Sequence, residues 1–191
     1  MARRIKTHHT MDVIKGNRPP NDLDKALEFD PVEVALIEGG IIFEGRIVHI
    51  NDQNRWSLGV GDKHLPWVLF NNSDDLDVIN DGGDPATEPD AWKASSPSGE
   101  MKAICVIGSE FEVTEFDTSR TYLANDPLTA PPSTGVGSTM LTTSGVLTNA
   151  SVTYGGDCVV GIVTEARTPT SLKNSNFRPS LKFMGYFLPK L

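Results

Sequence analysis

From Pro31 onward, glycine, proline and Asn/Asp turns divide the chain into short β-branched segments, none long enough for an ordinary helix. "VEVALIEGGIIFEGRIVHIND" alternates on either side of Gly39-Gly40 and predicts a hairpin. "RWSLGVGDKHLPWVLFNNSDD" predicts a strand, a turn near Gly61 and Asp62, and a second strand ending at Phe70. "KAICVIGSEFEVTEFD" predicts two adjacent strands broken at Gly108-Ser109, and "RTYLANDPLTA" a short strand ending in a turn at Asp126-Pro127. "STMLTTSGVLTNASV", "DCVVGIVTEA" and "SLKFMGYFLPKL" bring the set to about nine strands, at the spacing of an antiparallel barrel or sandwich. The fold class predicted is all-β, with a domain over residues 32–191. A length of 191 residues suits one such domain with long extensions, and 17 Gly and 13 Pro agree with a turn-rich chain.

Two stretches stand outside this pattern. Residues 1–31 carry charges of both signs, few apolar positions and neither periodicity, so they predict an extended N-terminal arm. Within it, "NDLDKALEF" allows one helical turn capped by Asn21 or Asp22. Residues 71–100 predict a long acidic loop. Its first part holds Asp74, Asp75, Asp77, Asp81, Asp84, Glu88 and Asp90 and no basic residue, and prolines and paired glycines break any regular element. Neither stretch has the apolar content to offset the entropy of ordering it, about 1–2 kcal/mol per residue for the backbone. Both are therefore expected to order on a partner. Trp92, alone in the polar loop, reads as an anchor for a partner's pocket, and Arg3, Arg4 and Lys6 form the basic cluster of the arm.

Catalytic constellations are sparse. His8 and His9 lie in the arm, His49 on a strand and His64 beside a turn, and no G-x-S-x-G nucleophile elbow occurs. The acidic loop lacks the D-x-D-x-D-G order of a calcium hand, and no Walker or dinucleotide glycine pattern is present. The expectation is a chain that is not an enzyme and takes no cofactor or metal. A net charge of -8 argues against nucleic acid as the main partner. No apolar run reaches membrane-spanning length and no export signal is visible, so Cys105 and Cys158 are expected as buried free thiols. Trp56, Trp67, Phe70, Phe183, Tyr186 and Phe187 read as core aromatics.

Three segments carry a resemblance. Tyr122 to Leu128, the "VGIV" strand within Val159 to Val163, and the closing Leu181 to Leu188 resemble the C-terminal half of capsid decoration (cement) proteins of tailed bacteriophages. "PWVLFNNSDDLDV" (Pro66 to Val78) is similar to a further stretch of such virion proteins. The resemblance implies a barrel or β-tulip-like domain on the outer surface of an icosahedral head, assembled in the host cytoplasm. It also implies homotrimers, with the major capsid protein as partner. Two alternatives come from other classes: a carbohydrate- or receptor-binding β-sandwich of a virion, and an enzyme with an acidic site at 71–90.

Overall fold

The computed structural model describes residues 11–15, 24–36, 45–60, 64–70, 101–113, 115–132, 144–150, 157–166 and 180–190. Along them run β1 (Met11–Lys15), β2 (Asp24–Leu27), α1 (Pro31–Leu36), β3 (Ile47–Ile50), β4 (Trp56–Leu58) and β5 (Trp67–Phe70). These are followed by β6 (Met101–Cys105), β7 (Glu110–Val113), β8 (Pro127–Thr129), β9 (Thr148–Asn149), β10 (Val159–Val163) and β11 (Leu181–Leu188). The strands form two antiparallel sheets, one ordered β1-β7-β11-β10-β8-β9 and the other β2-β6-β5-β3-β4. The all-β expectation holds, and the architecture is a sandwich.

Period-two alternation explains the packing. Ile47 and Val68 of the five-stranded sheet meet Phe111, Val113, Leu128, Val160, Leu181 and Phe183 of the six-stranded sheet in the central core. The alternate residues Val48, Trp56, Leu58, Trp67, Leu69, Ala103 and Cys105 point the other way and are also buried, around Phe29. The five-stranded sheet is thus covered on both faces, which is why its strands read as nearly continuous apolar runs. Fully burying each large side chain contributes about 1.5–3 kcal/mol.

The segment from Glu28 to Leu36 closes the β4 edge. In an antiparallel pair every second N–H points away from the partner strand. On β4 those outward donors belong to Trp56 and Leu58. Trp56 N donates to Glu28 O at 2.8 Å, and Asp30 N returns a bond to Trp56 O at 2.9 Å. Leu58 N donates to Glu33 Oε2 at 2.8 Å, and the Ser57 hydroxyl donates to Glu33 Oε1. Asp30 also caps α1, its Oδ1 accepting from Val32 N at 2.9 Å.

Several sequence expectations change here. Val32 to Leu36 is helix, not the first strand of a hairpin, because Asp30 and Pro31 supply a cap and a first-turn proline that outweigh the β-branched alternation. The helical turn expected in "NDLDKALEF" is strand at β2, paired with β6. The arm is therefore not wholly free of its own domain: β1 lies along β7 and β2 along β6. The strand expected to end at Asp126-Pro127 instead begins there, as β8. The strands around Gly108-Ser109 are adjacent in sequence but belong to different sheets. Tyr186 is 49% exposed instead of core, since it sits on the outward side of β11.

The chain passes between sheets through Val106–Ser109. This corner is pinned to β11: Gly108 N donates to Gly185 O at 3.2 Å and Gly185 N to Ser109 O at 2.8 Å. A Cβ on Gly185 would overlap the Val106 carbonyl oxygen, whereas one on Gly108 would meet open space. Elsewhere, Tyr122 sits edge-on to Phe116 and donates its hydroxyl to Asp117 O at 2.8 Å, and burial pushes its pKa up to about 12.

Gly185→Ala is expected to lower stability by about 3 kcal/mol, the upper end of the overpacking range. Gly108→Ala, at φ +82°, loses only the backbone preference of about 1–2 kcal/mol. Denaturant midpoints at equal m-values check the order, and equal losses would mean that the corner does not press on β11. Cys105 and Cys158 form no disulfide and are buried in separate clusters. Alkylation of unfolded, unreduced protein should add two adducts by intact mass; none would indicate a disulfide.

Candidate functional site

The densest grouping of chemistry-bearing side chains among the described residues lies along the β3–β4 hairpin and the approach to β5. β3 and β5 are paired with Val48 opposite Trp67, so the residues before Trp67 run beside those after Val48. That register stacks His64 on His49, with ring centroids 5.2 Å apart and planes 25° from parallel. The two histidines look unrelated in the sequence; the signal that joins them is the pairing of the two strands they flank.

His49 is 8% exposed, and its Nδ1 lies 3.0 Å from Gly59 O. A carbonyl only accepts, so Nδ1 carries the proton and Nε2 is the basic nitrogen of the neutral ring. Burial holds the His49 pKa below its ordinary value of 6.5; the Gly59 bond opposes this shift and the neighbouring His64 adds to it. Glu33 and Asp52 are the nearby carboxylates, and both favour the charged ring. His64 Nε2 lies 3.9 Å from Asp52 Oδ1, while its Nδ1 is buried without a hydrogen-bond partner.

Ser57 stands opposite His49 in the β3–β4 register. Its hydroxyl donates to Glu33, however, and His49 turns its N–H toward Gly59. The serine-to-histidine bond that would activate a nucleophile is therefore not made. This arrangement orders a strand edge. Among the described residues, no group of three or more His, Cys, Asp or Glu converges as a metal-ligand set.

A second polar contact crosses between the sheets. Arg46 Nε meets Glu115 Oε2 at 3.2 Å with both side chains largely buried, and Arg46 also donates to Ser144 O at 3.4 Å. Sequence reading passed over this pair because the two residues are far apart in the chain. Removing one partner of such a pair strands the other charge, which costs far more than the pair contributes.

The partner-binding residues expected from sequence, Arg3, Arg4, Lys6 and Trp92, lie outside the described residues, as do His8, His9 and the acidic loop. The surface that is described carries exposed apolar side chains at Ile107, Tyr186 and Leu188. Ile107 and Tyr186 flank the Gly108–Gly185 hydrogen bond.

The sign of the His49 shift sets a pH dependence. A folded pKa below the unfolded one means that the unfolded chain binds the proton more tightly. The stability His49 contributes is present above pH 6.5 and is lost as pH falls from there through the lower folded value. His49→Asn keeps an N–H near Gly59 O and removes the titration. Urea midpoints at pH 7.5 and 5.5 should fall further for the parent than for the variant, and parallel losses would remove His49 as the cause. Neither a protein-family model, nor a characterised protein, nor a solved structure matches this chain.

Proposed function

We propose that this chain is a structural virion protein, a capsid decoration protein that binds the outer surface of an icosahedral phage head and stabilises it. The observation that carries the reading is a juxtaposition. Of the segments that resemble decoration proteins, Tyr122 to Leu128 leads into β8 and two others form β10 and β11, consecutive neighbours in one sheet, while Pro66 to Val78 contains β5 of the other sheet.

Tyr122 to Leu128 leads into β8 through Asn125, at φ +72°, and through Asp126, whose Oδ2 accepts from Leu123 N at 2.7 Å. The alternative reading, a carbohydrate- or receptor-binding module, calls for an exposed aromatic platform. Trp56 and Trp67 are instead buried, which favours the decoration reading.

In the decoration reading, the chain acts by linkage. A ligand that binds the assembled shell and not its parts stabilises the shell by mass action, and repetition around the lattice raises the avidity. The arm, with Arg3, Arg4 and Lys6, and the loop bearing Trp92 supply contacts to the major capsid protein, and the subunits associate as homotrimers. Deleting residues 1–30 would also remove Phe29 from the core and Asp30 from its cap, so a shorter deletion isolates the attachment.

Removal of residues 1–10 should leave the sandwich folded, lower its occupancy on heads and lower the temperature at which heads release DNA. Trp92→Ala should act in the same direction, more weakly. Imaging of heads with and without the protein, together with a heat-release curve, reads both effects. No density on any head, with normal heat resistance in its absence, would overturn the decoration reading.

A further inference from the structure

We propose that β1 is an exchangeable strand, and that the free edge of β7 accepts Met11–Lys15 from a second copy of this chain in the same antiparallel register. The inference rests on the β1–β7 ladder and does not need the virion reading.

The ladder pairs Met11 with Val113, Asp12 with Glu112, Val13 with Phe111 and Lys15 with Glu110. β7 is the element against which β1 packs. The chain is fastened again further along, by the β2–β6 ladder and at Glu28 to Asp30, where two backbone bonds hold it to Trp56 and Phe29 enters the second core. Between β1 and β2 lie the eight residues 16–23, which can span roughly 26 Å when extended. β1 can therefore leave its own β7 while everything from β2 onward keeps its contacts.

What β1 leaves behind cannot stay bare. β7 holds Phe111 and Val113, both fully buried, and without β1 it presents a row of unpaired N–H and C=O groups at a sheet edge. Two of the other edges are handled differently. β9 is only two residues long, and β4 is closed by Glu28 to Glu33.

The β7 edge pairs with β1 in a defined register, and each copy of the chain supplies one such strand. Exchange of an identical element repeats the same contacts between copies, so it costs little beyond association itself. The ladder also shifts register between Val13 and Lys15, at the end leading into residues 16–23.

The test uses Asp12→Cys and Glu112→Cys, which face each other in the register. The two single variants, one isotopically labelled, are unfolded together, refolded over a range of concentrations and oxidised. Exchange predicts a mixed D12C–E112C disulfide dimer that grows with concentration, and the effective concentration set by the register favours it about tenfold over either same-variant dimer. It also predicts that wild-type protein is oligomeric by light scattering. Peptide mapping separates these links from the buried native thiols Cys105 and Cys158.

The double variant D12C/E112C gives the opposing reading. Links confined to single chains, with wild type monomeric throughout, would overturn the proposal. So would oligomers whose links stay within chains, which place self-association on another face. The absence of any link would show that β1 does not lie on β7.

Discussion

The turn from Val106 to Ser109 carries the chain out of one sheet and into the other, and most of the sandwich is arranged around its two arms. β6, on one side, pairs with β2 and β5; β7, on the other, pairs with β1 and β11. The turn can be that tight because Gly185 brings no side chain against the Val106 carbonyl. Two hydrogen bonds to Gly185 then hold the corner to β11, the longest of the described strands. Those bonds act with the Val60 N to Ala130 O bond and the Arg46–Glu115 pair in setting how the two layers meet.

Burial on both faces of the five-stranded sheet creates a second requirement. An edge covered by apolar packing cannot leave its donors unpaired, since each unsatisfied group costs about 1–3 kcal/mol. Glu28, Asp30 and Glu33 meet that requirement along β4, where main-chain and carboxylate oxygens replace a missing strand. The same segment carries Phe29 into the second core. Polar closure and apolar cover thus come from one short stretch, so a change at Glu33 would disturb both. His49, buried beside this closure, has its pKa held below the ordinary value by desolvation.

How much of this was legible in the sequence follows from the range of each interaction. Strand identity was legible at Trp67–Phe70, Val159–Val163 and Leu181–Leu188, where local β-propensity and tertiary packing agree. Pro31–Leu36 misled because its alternation is real, yet the Asp-Pro start makes a better helix cap than strand entry. Asp24–Leu27 misled for the opposite reason: nothing local favours a strand there, and the β6 edge imposes one. The His49–His64 stack and the Arg46–Glu115 pair depend on register between strands, which propensity does not carry. Tyr186 was assigned to the core by residue type, and its place on the outward side of β11 follows from a phase that only pairing with β7 and β10 reveals.

One topological detail has a mechanical meaning. β1 and β11 flank β7 and both run antiparallel to it, so they are parallel to one another. β1 lies near the start of the chain and β11 near its end. Tension between the two ends would slide these strands lengthwise past β7 instead of peeling them apart. Ladder bonds run across the strand axis, so such a pull strains many of them at once, and the sheet resists as a unit. The arrangement of chain ends around β7 makes this a fold able to carry load along its strands.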